Sequence, residues 1–147
     1  MTQEIDNIFG ATNHFCKWLV ENEYIIISTV LANNYRHRLI TAERNEIEQT
    51  YYLVYKRDPY YSFKQGYGES VNEMIIDKLI EKKTDWVIFC NKLGRLYKIS
   101  PNKFKEIGIR KMVEIQDKVI VNGHPKIIHE VILTVSLDNL KRINYGV

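Results

Sequence analysis

The residues best suited to chemistry are a lysine and a run of carboxylates. Lys56 lies near the end of QTYYLVYKR (49–57), and Glu69 and Glu73 follow it. Glu69, Glu73, Asp77 and Glu81 recur every four residues, so on a helix they would line one face. Two carboxylates at the first turns of such a helix suit Mg²⁺, a hard cation that takes oxygen ligands. A lysine beside them could stabilise the negative charge that develops in phosphodiester hydrolysis. The competing reading is a solvated acidic face balanced by Lys78, Lys82 and Lys83.

A second feature is the segment YYLVYKRDPYYSFKQGY (51–67), which holds seven of the 17 aromatic residues together with Lys56, Arg57 and Lys64. Aromatic faces stack on bases and cations neutralise phosphates, so Arg57, Tyr60, Tyr61, Lys64 and Tyr67 suit a nucleic-acid groove, above all for a single strand or a distorted duplex. Arg36, His37 and Arg38 add a second basic spot. The alternative is packing, because tyrosine is a good strand former. The four histidines are scattered without HExxH or CxxC spacing, which gives no zinc site. No P-loop, dinucleotide fingerprint or nucleophile elbow occurs.

These residues need a scaffold, and 147 residues with 45% hydrophobic content suit a single α+β domain spanning residues 1–147. No apolar run is long enough to span a membrane, and the N-terminal residues do not read as a secretory signal. Cys16 and Cys90 read as reduced, buried side chains. The expected location is the cytoplasm, or the host cytoplasm if the gene is viral. Residues 1–91 carry a net charge of −3 and residues 92–147 a net charge of +6, which predicts one basic face.

Helical periodicity predicts a first helix through EIDNIFGATNHFCKWLVENE, with Ile5, Ile8, Phe9, Phe15, Cys16, Leu19 and Val20 on its apolar stripe and Asp6 or Thr2 as cap. A second is expected from Glu69 to Lys83, with Val71, Met74, Ile75, Leu79 and Ile80 inward, and a short third one in LDNLKRI. Strands are expected at 24–30 (a buried one), 35–42, 49–57, 86–90, 95–100, 111–121 and 126–135, with a loop at 60–68 and a hairpin turn at Asn122-Gly123. The sum is a mixed or antiparallel sheet of about seven strands flanked by two main helices.

The order helix, strands, a strand ending in lysine, helix and further strands resembles the PD-(D/E)xK nuclease superfamily over residues 7–105. The segment FKQGYGESVNEMIIDKLIEKKTDWVIFCNKLGRLYKISPNKF is similar to small archaeal and archaeal-virus relatives of that group. The resemblance implies a nuclease-like fold and a divalent metal, Mg²⁺, held between an aspartate on one strand and an acid two residues before a lysine on the next. Lys56 matches the lysine, with Glu43 standing in for the aspartate. Val54 occupies the acid's place, and Glu69 or Glu73 would replace it from the neighbouring helix. The implied site is Lys56, Glu69 and Glu73 as catalytic groups and Glu69, Glu73 and Glu43 as metal ligands.

The leading expectation is therefore a protein that acts on nucleic acid, as a Mg²⁺-dependent nuclease. Two alternatives stand beside it. One is a nucleic-acid-binding protein that does not cut, and the other is a protein-interaction module such as an inhibitor of a host enzyme, with a homodimer as a further partner state. The hydrolase requires Lys56 and the helix carboxylates to face one hollow.

Overall fold

The computed structural model describes residues 3–33, 35–58, 60–63 and 66–145. Helix α1 runs Ile8–Glu21, started by Asn7, whose side chain accepts from the Gly10 N–H at 2.9 Å. Strands β1 (Ile25–Ala32), β2 (His37–Arg44) and β3 (Ile47–Tyr55) follow as an antiparallel meander. The chain then forms the hairpin β4 (Tyr60–Phe63) and β5 (Gly66–Asn72), and β5 runs straight into α2 (Glu73–Glu81). Next come β6 (Trp86–Cys90), β7 (Leu96–Ile99) and α3 (Pro101–Ile107). The long strands β8 (Ile109–Val121) and β9 (His124–Ser136) form a hairpin, and a 3-10 turn, Leu137–Asn139, leads to β10 (Lys141–Arg142).

The strands form two sheets. The first is mixed, six strands in the order β1-β2-β3-β6-β7-β10, with β3 and β6 parallel. The second is antiparallel, four strands in the order β4-β5-β9-β8. The α+β class is as expected, but one sheet of seven strands is replaced by sheets of six and four. Hairpin signals are local, whereas the assignment of a hairpin to a sheet depends on docking.

Both faces of the central strands are buried. Leu53 of β3 and Ile88 of β6 face α1, where Ala11, Phe15 and Leu19 are fully covered. Val54, Val87 and Phe89 point the other way, toward Ile76 and Leu79 of α2, Phe104 of α3, and Leu133 and Val135 of β9. This explains why TYYLVY and WVIFC are near-continuous apolar runs.

Several boundaries depart from the sequence expectation. Residues 60–63 and 66–68, expected in a loop, are paired strands. Residues 69–72 are strand, because Ser70 and Val71 pair with Thr134 and Leu133 of β9 and Asn72 caps α2 through the Met74 N–H at 2.8 Å. The expected buried strand at 24–30 is the edge strand β1, with Ile25, Ile27 and Val30 exposed. In α1, Phe9 and Val20 are exposed, and in α2 Met74 is exposed while Ile76 is buried. LDNLKRI is not a helix, since Lys141 and Arg142 pair with β7 instead.

Phe104 stacks on Phe89 with ring centroids 5.9 Å apart, inside the core between the sheet and α3. Phe104→Ala is expected to lower the unfolding free energy by about 3–5 kcal/mol. Val20→Ala, in an exposed residue that periodicity alone places in the core, should change it by less than about 0.5 kcal/mol. Urea midpoints of the two variants check the assignment of the buried face.

Candidate functional site

A cavity of about 480 Å³ opens where the ends of β2 and β3 meet one face of the four-stranded sheet. Strand alternation and register build its wall in rows. Ser70, Thr134 and Ile109 lie abreast on β5, β9 and β8, followed by Asn72, Ile132 and Lys111. Glu130 and Val113 form the next row. The opposite wall is Asn33, Arg36, His37 and Lys56. The wall's polar groups are tied to one another. The Ser70 and Thr134 hydroxyls are 2.8 Å apart, and the Asn72 amide donates to Glu130 Oε2 at 2.9 Å.

Lys56 follows β3, and its N–H donates to the Cys90 carbonyl at 3.0 Å, which extends the parallel pairing by one residue and fixes the start of its side chain. His37 begins β2 opposite Val54. The Tyr52 hydroxyl contacts His37 Nδ1, and the Asn33 amide lies 3.5 Å from the same nitrogen. The Tyr52 hydroxyl can donate to this nitrogen or accept from it, and the ring tautomer sets which. Burial, and then the charges of Lys56 and Arg36, hold the His37 pKa down to about 4. The imidazole is thus neutral at neutral pH. Burial also pushes the Tyr52 hydroxyl well above its usual range, which keeps it protonated.

The cavity collects Lys56 and Arg36 from the sequence-nominated residues, and the others are placed elsewhere. Glu69 belongs to β5, not to α2, and side-chain alternation sets it on the strand face opposite Ser70. It is only 3% exposed, and its Oε2 has no hydrogen-bond partner among the described residues. Burial raises its pKa to about 8 despite the opposing charge of Lys56, so the group is largely a neutral acid at pH 7. Glu73 is held by Arg110 through two contacts, 2.9 and 3.0 Å. Glu43 sits six residues along β2 from His37, roughly 20 Å away at the usual strand rise.

The carboxylates nominated for a metal therefore do not converge. Among the described residues no group of three His, Cys, Asp or Glu side chains could hold a metal ion. The residues present do not fit the Mg²⁺ site that the resemblance implies. The physical reason is the early helix start assumed from sequence, which put Glu69 and Glu73 on one helical face.

Arg38 lies over the Phe9 ring of α1, 5.0 Å from its centroid, on the face away from the cavity. Arg57 pairs with Glu4 at 3.4 Å and lies near Asp58. Lys64 and the side chains of Tyr60, Tyr61 and Tyr67 lie outside the described residues. Sequence reasoning missed Lys111, Asn72, Ser70 and Glu130. Alternation does put Lys111 with Val113, and Glu130 with Ile132 and Thr134, on common faces, but it does not reveal which face is covered.

Comparison of the chain with protein-family models, with curated proteins and with solved structures gives no match. Among the described residues no helix is long and apolar enough to cross a membrane.

The two shifted groups have opposite pH signatures. His37 has a folded pKa below its unfolded value, so its contribution is present above about pH 6.5 and is lost as pH falls toward 4. Glu69 has a raised folded pKa, so its contribution is full below about 4.5 and is lost as pH rises through 8. Glu69→Gln should therefore be more stable than the parent at pH 8.5, by a few kcal/mol in order of magnitude, and nearly equal to it at pH 4.5. Urea unfolding at both values checks this, and an effect of the same size at both would contradict it.

Proposed function

We propose that this protein binds nucleic acid, gripping the phosphates of a single strand at the cavity, and does not cut it. One observation carries the reading. Arg36, Lys56 and Lys111 come from three separate places in the chain to line one cavity, and Glu130 is the single lining carboxylate among the described residues. None of the three is in an ion pair among the described residues, whereas Lys92, Arg57, Lys105 and Arg110 are all matched with acids. Cations left unpaired in a concave site are suited to an external anion. Hydroxyls at Ser70 and Thr134 and the His37 ring add polar groups of the kind that contact phosphate and sugar. A volume near 480 Å³ is in the range that encloses one small ligand, so one nucleotide unit fits where a duplex does not.

The non-cutting form is favoured over hydrolysis because Glu73 is engaged by Arg110 and Glu69 is buried on the opposite face of β5. Lys56 is then a phosphate-binding group, not a catalytic one.

Binding of a labelled single-stranded oligonucleotide, followed by anisotropy across a salt series, tests the reading. Three phosphate contacts predict a log–log slope of about −2, and Lys111→Gln should reduce it by roughly 0.7. Absent or salt-independent binding would count against the proposal. The same oligonucleotides, with circular DNA and RNA, should stay intact in Mg²⁺. Cleavage that disappears in the Lys56→Ala, Glu73→Ala double variant would restore the hydrolase reading.

A further inference from the structure

We infer that the cavity is built for a terminal phosphomonoester, so that it takes the phosphorylated end of a strand or a free nucleotide in preference to an internal phosphodiester. This inference rests on the nucleic-acid reading above and names the ligand group that the same site selects.

The first argument is charge. Arg36, Lys56 and Lys111 against Glu130 leave a net of +2 on the lining. His37 adds nothing at neutral pH because its imidazole is neutral. A phosphomonoester carries about −1.5 to −2 at pH 7, and a diester linkage carries one charge. The monoester matches the lining. A diester brings about half of that complementary charge, so the same cations attract it less.

The second argument is donor geometry. A monoester offers three acceptor oxygens. The cations come from the turn before β2, from the end of β3 and from β8, three separate elements that line one cavity. An internal phosphate has two of its oxygens bonded to carbon, and the chain would have to run in and out past both walls. An end needs only one entry.

The third argument is the remaining surface. Ile109, Ile132 and Val113 are interleaved with the polar groups of the wall, Ile75 lines the same cavity, and Ile109 is 56% exposed. These apolar side chains suit the sugar and base attached to the phosphate, so a nucleotide is favoured over inorganic phosphate.

The test uses three single-stranded oligonucleotides of one sequence, labelled at an internal position, with a 5′-phosphate, a 3′-phosphate or two hydroxyl ends. Nucleoside monophosphate, nucleoside and inorganic phosphate serve as competitors, and each is also titrated directly. A phosphorylated end is expected to bind at least tenfold more tightly than hydroxyl ends. Nucleoside monophosphate should displace it where nucleoside does not, and Lys111→Gln should cut the advantage to under threefold. Lys111 is exposed, so the variant should keep the parent melting curve.

Equal affinity for all three oligonucleotides, with salt dependence intact, would overturn the inference while leaving nucleic-acid binding standing. Binding of nucleoside monophosphate without binding of any oligonucleotide would support the phosphomonoester site and overturn the nucleic-acid reading. Inorganic phosphate competing as well as the nucleotide would overturn the role assigned to the apolar lining residues.

Discussion

Everything in this molecule depends on the parallel pairing of β3 with β6 and its burial on both faces. Tyr51 to Tyr55 run beside Trp86 to Cys90, and successive side chains go alternately to α1 and to the layer of α2, α3 and β9. A parallel pair requires a crossover, and here it contains the hairpin β4–β5 and helix α2. The crossover therefore does two jobs. It covers one face of the six-stranded sheet, and it supplies the strand on which the second sheet is assembled.

The cavity is a by-product of that assembly. Because β5 pairs with β9 and leads straight into α2, one face of the four-stranded sheet packs Leu133 and Val135 into the core and the other stays open. The open face meets the ends of β2 and β3, which deliver His37 and Lys56. Two buried titratable groups flank this junction. The His37–Tyr52 contact couples the cavity wall to the core beneath it, and Glu69 sits on the core side of β5 within the electrostatic reach of Lys56. Burial favours the neutral form of each, so the positive charge facing the cavity comes from the cations alone.

Much of the scaffold was legible in the residues. The apolar runs 51–55 and 86–90, the Asn122-Gly123 turn and the face of α1 carrying Phe15 and Leu19 all follow from local pattern. Ser136 caps a turn as expected, but the turn is 3-10 and short, because the following residues gain more by pairing with β7. The helix expected from Glu69 begins at Glu73. Periodicity over 69–83 is helical throughout, and only the pairing of β5 with β9 removes the first four residues from it. That four-residue difference is what separates Glu69 from Glu73.

By itself, the chain determined its class, the apolar runs that become β3 and β6, and its basic C-terminal half, because each of these depends on residues near one another in sequence. Tertiary structure decided which charges face a common space. Arg36 and Arg38 are two residues apart and go to opposite sides, and Lys111 joins Lys56 from 55 positions away. Spacing encodes which residues share a face of a strand, but which face meets which is set by how two sheets dock, and that is a competition among burial energies spread over the whole chain.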